Sequence, residues 1–245
     1  IGQRGAKSLA EALVGKSSAG SLAVLNVSNN ALDPPGVASI GRAFGSCHRI
    51  RELDISFNNA CFQGVYAFGE GLGRGEKEEE AALSLRVLNV SHNNIGRGEE
   101  EEVADFSWLR MLLRACRKLS SLDLSYNLLP DAAAAVIADN IRLGAVSSLT
   151  RIFLRGNRLS MRGTHQLLDA FRKNLRLSFR FHQLTLGDNN LDMDEEDNIA
   201  QAICAYDEAM QHGEGGLRGA GAGAGAGEGA GAGAGAGEGA GAGAG

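Results

Sequence analysis

The sequence predicts an α/β solenoid, a curved horseshoe with a parallel sheet on its concave side and helices on its convex side. Three observations lead there. Six leucine-rich blocks, each closed by an asparagine, recur in one register. Amphipathic helical stretches with apolar residues at three-to-four spacing separate them. Each strand-plus-helix unit is too small to bury its own apolar face, so it must stack on its neighbours. The closing asparagines, Asn30, Asn58, Asn93, Asn127, Asn157 and Asn189, step by 28, 35, 34, 30 and 32 residues, room for one strand and one helix per unit.

Along the chain, the first element is a helix, Gly5-Ala-Lys-Ser-Leu-Ala-Glu-Ala-Leu13. It aligns with Gly36-Val-Ala-Ser-Ile-Gly-Arg-Ala-Phe44 and puts Ile1 at the position of Leu32, so its own strand is expected upstream and the sequence reads as a fragment. Leu22-x-x-Leu25-x-Val27-x-x-Asn30-x-Leu32 predicts a strand near 24–27, followed by the Gly36–Phe44 helix. Ile50, Leu53, Ile55 and Asn58 place the next strand at 52–55, ahead of a helix at Gly64–Leu72. Leu85-x-x-Leu88-x-Val90-x-x-Asn93-x-Ile95 and Leu119-x-x-Leu122-x-Leu124-x-x-Asn127-x-Leu129 give strands at 87–90 and 121–124. Leu149, Ile152, Leu154, Asn157 and Leu159 give 151–154 with a helix at Gly163–Phe171, and Phe181, Leu184, Leu186, Asn189 and Leu191 give 183–186. Two glutamate-rich runs, 73–80 and 96–102, read as loop expansions that account for the two longest steps. A repeat domain is thus expected over 1–212. From Gly213 to 245 the composition collapses to Gly and Ala, which offer too little apolar area to offset their ordering entropy, and this tract is expected to be a disordered tail or insertion.

The asparagines belong where each strand turns away, their amides bonded to loop backbone that would otherwise be buried and unpaired. An orphaned group of that kind costs about 1–3 kcal/mol. A residue repeated six times serves the repeat, so these six are expected to form a structural ladder rather than a catalytic set.

Leu53-Asp-Ile-Ser-Phe-Asn58, Leu88-Asn-Val-Ser-His-Asn93 and Leu122-Asp-Leu-Ser-Tyr-Asn127 carry the "LDLSxN" strand of leucine-rich repeats. With the glycine-led helices that follow, residues 1 to about 210 resemble the ribonuclease-inhibitor-like class of leucine-rich-repeat proteins. The resemblance implies the horseshoe fold. It implies no single function, because the class includes ribonuclease inhibitor, activators of Ran-type GTPases, tropomodulin-like actin cappers, receptor sensor domains and axonemal proteins.

Composition narrows the function classes. A net charge of −5 argues against a general nucleic-acid or anionic-membrane surface. No run approaches the roughly 18 apolar residues of a membrane span. Cys47 and Cys116 fall at matching helix ends two repeats apart, about 20 Å for helices packed at 8–10 Å, beyond the ~7 Å that a disulfide tolerates. With Cys61 and Cys204 they read as free thiols, which favours the cytoplasm.

Several motifs imitate chemistry. Ala10-Glu-Ala-Leu-Val-Gly15-Lys16-Ser17 satisfies a permissive P-loop pattern, but it is the C-terminal end of a repeat helix, whose dipole opposes phosphate. Asn26-Val-Ser28 and Asn89-Val-Ser91 match the glycosylation acceptor, and the strand register explains both. His48, His92, His165, His182 and His212 share no metal-ligand spacing. No nucleophile elbow, zincin helix or dinucleotide fingerprint occurs, and no cofactor is expected.

What remains is surface. Strand alternation sends the residues between the leucines to the concave side. One such column reads Asn26, Asp54, Asn89, Asp123, Phe153, Thr185 and the next Ser28, Ser56, Ser91, Ser125, Arg155, Gly187. The column immediately before the asparagines reads Asn29, Phe57, His92, Tyr126, Gly156, Asp188. Phe57, His92 and Tyr126 are therefore expected side by side on a rim, with Phe153 and Arg155 beyond, and these five are the candidate partner-binding residues, of types enriched in binding hot spots. The leading expectation is a non-enzymatic scaffold that binds a protein partner on its concave face. The resemblance also admits a small-GTPase activator of the Ran-activator type, for which Arg4, Asn29 and Arg51 are the polar candidates, and a cytoskeletal or axonemal component.

Overall fold

A computed structural model describes residues 1–14, 22–44, 49–73, 84–96, 106–174 and 183–191. Six helices alternate with six strands: α1 Gly2–Val14, β1 Val24–Asn26, α2 Asp33–Phe44, β2 Glu52–Asp54, α3 Cys61–Gly73, β3 Val87–Asn89, α4 Ser107–Ala115, β4 Ser121–Asp123, α5 Asp131–Arg142, β5 Arg151–Phe153, α6 Met161–Lys173 and β6 Gln183–Thr185. The strands form one sheet in chain order, every pair parallel. Leu25, Leu53, Leu88, Leu122, Ile152 and Leu184 lie in one register across it. Each strand ends one residue earlier than the leucine pattern suggests, but the backbone ladder runs on: the Val27 N–H donates to the Asp54 carbonyl, and the Asn29 N–H to that of Ser56.

Local sequence fixes the helix positions. Asp33-Pro-Pro opens α2, where proline's missing N–H falls among groups that have no helical partner anyway. Ser160 caps α6 by accepting from the Arg162 N–H, and its hydroxyl donates to Asp131 at 2.6 Å, tying the start of α6 to that of α5. In α4, Trp108, Leu109, Leu112 and Leu113 are buried and Arg110 and Arg114 exposed, a stripe at helical spacing. The core lies between the two layers, with the strand leucines on one side and residues such as Ile40, Phe68, Trp108, Ile137 and Leu167 on the other. At α2 and α3 the helices meet backbone to backbone: a Cβ at Gly71 would overlap the Gly41 carbonyl, and one at Gly41 would overlap Phe68.

The Gly/Ala tract, Cys47, Cys204 and both glutamate-rich runs beyond Gly73 and Gly96 lie outside the described residues. Of the P-loop-like segment, Ala10–Val14 is helical, with Leu13 buried.

Candidate functional site

The asparagines bridge consecutive repeats. The Asn58 amide nitrogen donates to its own strand's Ile55 and Ser56 carbonyls and to Val27 of the strand before, while its Oδ1 accepts from the Asn30 and Leu32 N–H groups. Asn93 spans in the same way, donating to Ile55, Val90 and Ser91 and accepting from Asn58 and Ala60. Asn127 and Asn157 continue the chain. Asn189 is half-buried and accepts from Leu159, and the Asn30 amide donates to the Ser28 carbonyl.

The two inner concave columns differ between strands. In β1 to β4 the Asx carboxylate or amide oxygen accepts the N–H two residues on: Ser28 to Asn26, Ser56 to Asp54, Ser91 to Asn89 and Ser125 to Asp123, at 2.9–3.0 Å. The Ser28 and Ser56 hydroxyls join at 2.7 and 2.6 Å. These polar residues are consumed by the turn, an Asx arrangement that replaces a missing ladder partner. In β5 and β6 the same places hold Phe153 with Arg155, and Thr185 with Gly187.

The rim column forms a stack. Phe57 lies on His92 with ring centroids 4.0 Å apart and 12° between planes, and His92 lies on Tyr126 at 4.4 Å and 17°. The spacing follows from the backbone. The N–H groups of Phe57, His92 and Tyr126 donate to the carbonyls of Ser91, Ser125 and Arg155 one repeat on, so the rings inherit the separation of adjacent strands, about 4.8 Å. Next in the column, Gly156 has no side chain, and a Cβ there would overlap the Tyr126 ring. The Tyr126 hydroxyl crosses it to donate to Asp188 at 3.3 Å, and Arg155 Nε donates to the same carboxylate oxygen at 2.7 Å. That hydrogen bond from Arg155, helped by its charge and by the Tyr126 hydroxyl, holds the Asp188 carboxyl below its ordinary range. The column is therefore continuous from Phe57 to Asp188. Arg155 joins it through Asp188; Phe153 stands apart, half-buried in β5 between Asp123 and Thr185.

Every member of this column has left-handed backbone, with φ of 54° at Asn29, 55° at Phe57, 56° at His92, 54° at Tyr126, 66° at Gly156 and 57° at Asp188. Sequence reasoning missed this, and Asn29, Gly156 and Asp188 in register with three aromatics were the available signal. A left-handed residue other than glycine costs roughly 1–2 kcal/mol, and stacked aromatic pairs return about 0.5–1.5 kcal/mol each. Three such residues against two stacked pairs leave the stack short of offsetting its own backbone cost, while Phe57 keeps 52% and Tyr126 37% of its surface exposed.

Arg4, Asn29 and Arg51 lie on three different elements: α1, the turn after β1 and the approach to β2. No group of three or more metal-ligating side chains occurs among the described residues, and no described helix is long and apolar enough to cross a membrane. Cys61 and Cys116 are free, and burial pushes the Cys116 thiol up to about 12.

A family model described as Leucine Rich repeat matches residues 82–97, the block around β3. The fold is a leucine-rich-repeat solenoid. Among solved structures, the chain is similar to the tropomodulin C-terminal domain of Caenorhabditis elegans, at 12% identity and a TM-score of 0.45, over 86% of this chain and 98% of that one. No curated protein matches.

Proposed function

We propose that the chain is a non-catalytic interaction scaffold whose rim column, Phe57, His92 and Tyr126, with Arg155 and Phe153 beside it, docks a protein partner. One observation carries the reading: three consecutive repeats hold aromatic side chains in a backbone conformation that favours glycine or asparagine, and two of the three rings stay exposed. The left-handed turn recurs in each repeat, at Ala31, Asn59, Asn94 and Leu128 as well, so it is the exposed aromatic side chains set on it, a type enriched in binding hot spots, that support the reading. The free thiols Cys61 and Cys116 fit a reducing compartment, and we place the protein in the cytoplasm.

A photo-crosslinking residue at position 57 tests this against one at Arg162, exposed on α6. The first should capture a defined protein that the second does not. Affinity for that protein should then fall by about 2 kcal/mol or more in the Phe57→Ala/Tyr126→Ala double variant, as for aromatic anchors, with its unfolding transition measured alongside. Equal capture at both positions, or unchanged affinity in a folded double variant, refutes the reading.

A further inference from the structure

The opposite ends of the same strands carry a different chemistry. Just before β2 and β3 stand Arg51 and Arg86, on adjacent rungs, the Arg86 N–H donating to the Arg51 carbonyl at 2.7 Å. The run continues through Ser120, whose N–H donates to the Arg86 carbonyl, to Thr150, whose N–H donates to that of Ser120; Arg151 follows one residue further into the sheet, in register with Ser121, Val87 and Glu52. Lys118 and Arg117 lie directly upstream of Ser120. Arg51, Arg86, Arg117, Lys118 and Arg151 are all exposed, and none of them forms an ion pair among the described residues.

Like charges on neighbouring rungs repel and destabilise a sheet unless something neutralises them. This rim is a local reversal of the chain's charge, which is −5 overall. It is bounded on its concave side by carboxylates, Glu52 next to Arg51, then Asp54 and Asp123, which would repel a polyanion laid across the sheet. An anionic ligand is thereby confined to the rim. Guanidinium groups present forked donors that pair with carboxylates two at a time.

We infer that the rim where the strands begin is a second docking surface, separate from the aromatic column, and that it takes an acidic polypeptide segment with several successive Asp or Glu residues. Adjacent carboxylates of such a segment meet Arg51, Arg86 and the Arg117–Lys118 pair of repeats two to four in turn, with Arg151 one residue further into the sheet. A nucleic-acid duplex is wider than the rim and would carry its second row of phosphates over Glu52, Asp54 and Asp123, so an extended peptide is the better match.

The test is fluorescence anisotropy of a labelled octa-glutamate peptide with the whole chain. Binding should weaken about tenfold or more between roughly 50 and 200 mM salt, and by a comparable factor in Arg51→Glu/Arg86→Glu. Should that variant misfold, Arg51→Gln/Arg86→Gln gives the same reading with a smaller loss. Phe57→Ala/Tyr126→Ala should leave the peptide bound as before, so this inference and the rim-column reading fail separately. Glu78, Glu79 and Glu80 could compete within the chain, and a Glu78→Gln/Glu79→Gln/Glu80→Gln chain removes that competitor. No binding to either chain overturns the inference. So does binding insensitive to Arg51 and Arg86, or tighter, arginine-dependent binding of a single-stranded oligonucleotide of equal charge.

Discussion

Strands β1 to β4 and strands β5 and β6 have the same backbone but spend their concave side chains differently. In the first four, an Asx side chain and its partner two residues on close a hydrogen bond within the strand. In the last two, Phe153 and Thr185 take the Asx place, and polar bonding runs between repeats, from Arg155 to Asp188 to Tyr126. The first arrangement serves the repeat and leaves little for a ligand. The second gives up a local bond worth roughly 1 kcal/mol and frees side chains to reach across the surface. Departure from the repeated pattern therefore marks where concave side chains are released from the repeat's own bonding.

The comparison breaks most visibly at the ladder. Asn93→Ala removes five hydrogen bonds in the middle of the solenoid and orphans two buried N–H groups, and should cost about 3 kcal/mol or more in urea unfolding. Asn189→Ala, at the half-buried end, should cost about 1 kcal/mol. Equal losses would mean that the repeat of Asn93 is no more tightly coupled than that of Asn189. An intermediate effect is expected at Gly156→Ala, which meets both a left-handed backbone and the Tyr126 ring: roughly 1–2 kcal/mol, with the Tyr126 ring signals shifted in NMR as it leaves the stack.

Restoring the pattern in β5 sharpens the contrast. Phe153→Asp with Arg155→Ser recreates the Asx bond and gives up an exposed ion pair that contributes little. The double variant should gain up to about 1 kcal/mol while losing affinity for the rim's partner. A stability gain with unchanged affinity would exclude both residues from the surface.

The smallest effect concerns pH. Asp188 has a lowered folded-state pKa, so its contribution is present above the unfolded carboxylate value and is lost as pH falls through the folded one. Asp188→Asn should therefore slightly shallow the acid limb of the stability profile and leave neutral pH nearly unchanged, as acid titrations followed by circular dichroism would show.

Much of this was legible in the residues. Leucines at fixed spacing place all six strands within a residue, because a one-residue slip would turn the core outward. The juxtaposition of Phe57, His92 and Tyr126 follows from register alone. The sign of φ at those positions was signalled only by Asn29, Gly156 and Asp188 in the same column, since aromatic residues carry no turn signature. The link from Tyr126 to Asp188 does not follow from register: it spans 62 residues and exists because Gly156 between them is bare. The close meeting of Gly41 and Gly71 was equally hidden, since no residue spacing says which faces of successive helices will touch.

That meeting also has a geometric outcome. A two-layered arc bends according to the mismatch between its layers, about 4.8 Å per repeat on the strand side and 8–10 Å where side chains hold helices apart. Where α2 and α3 touch through bare backbone, the outer spacing shrinks toward the inner one, and the arc locally straightens. Bulk introduced at Gly41 or Gly71 would therefore push α2 and α3 apart and tighten the arc at this pair.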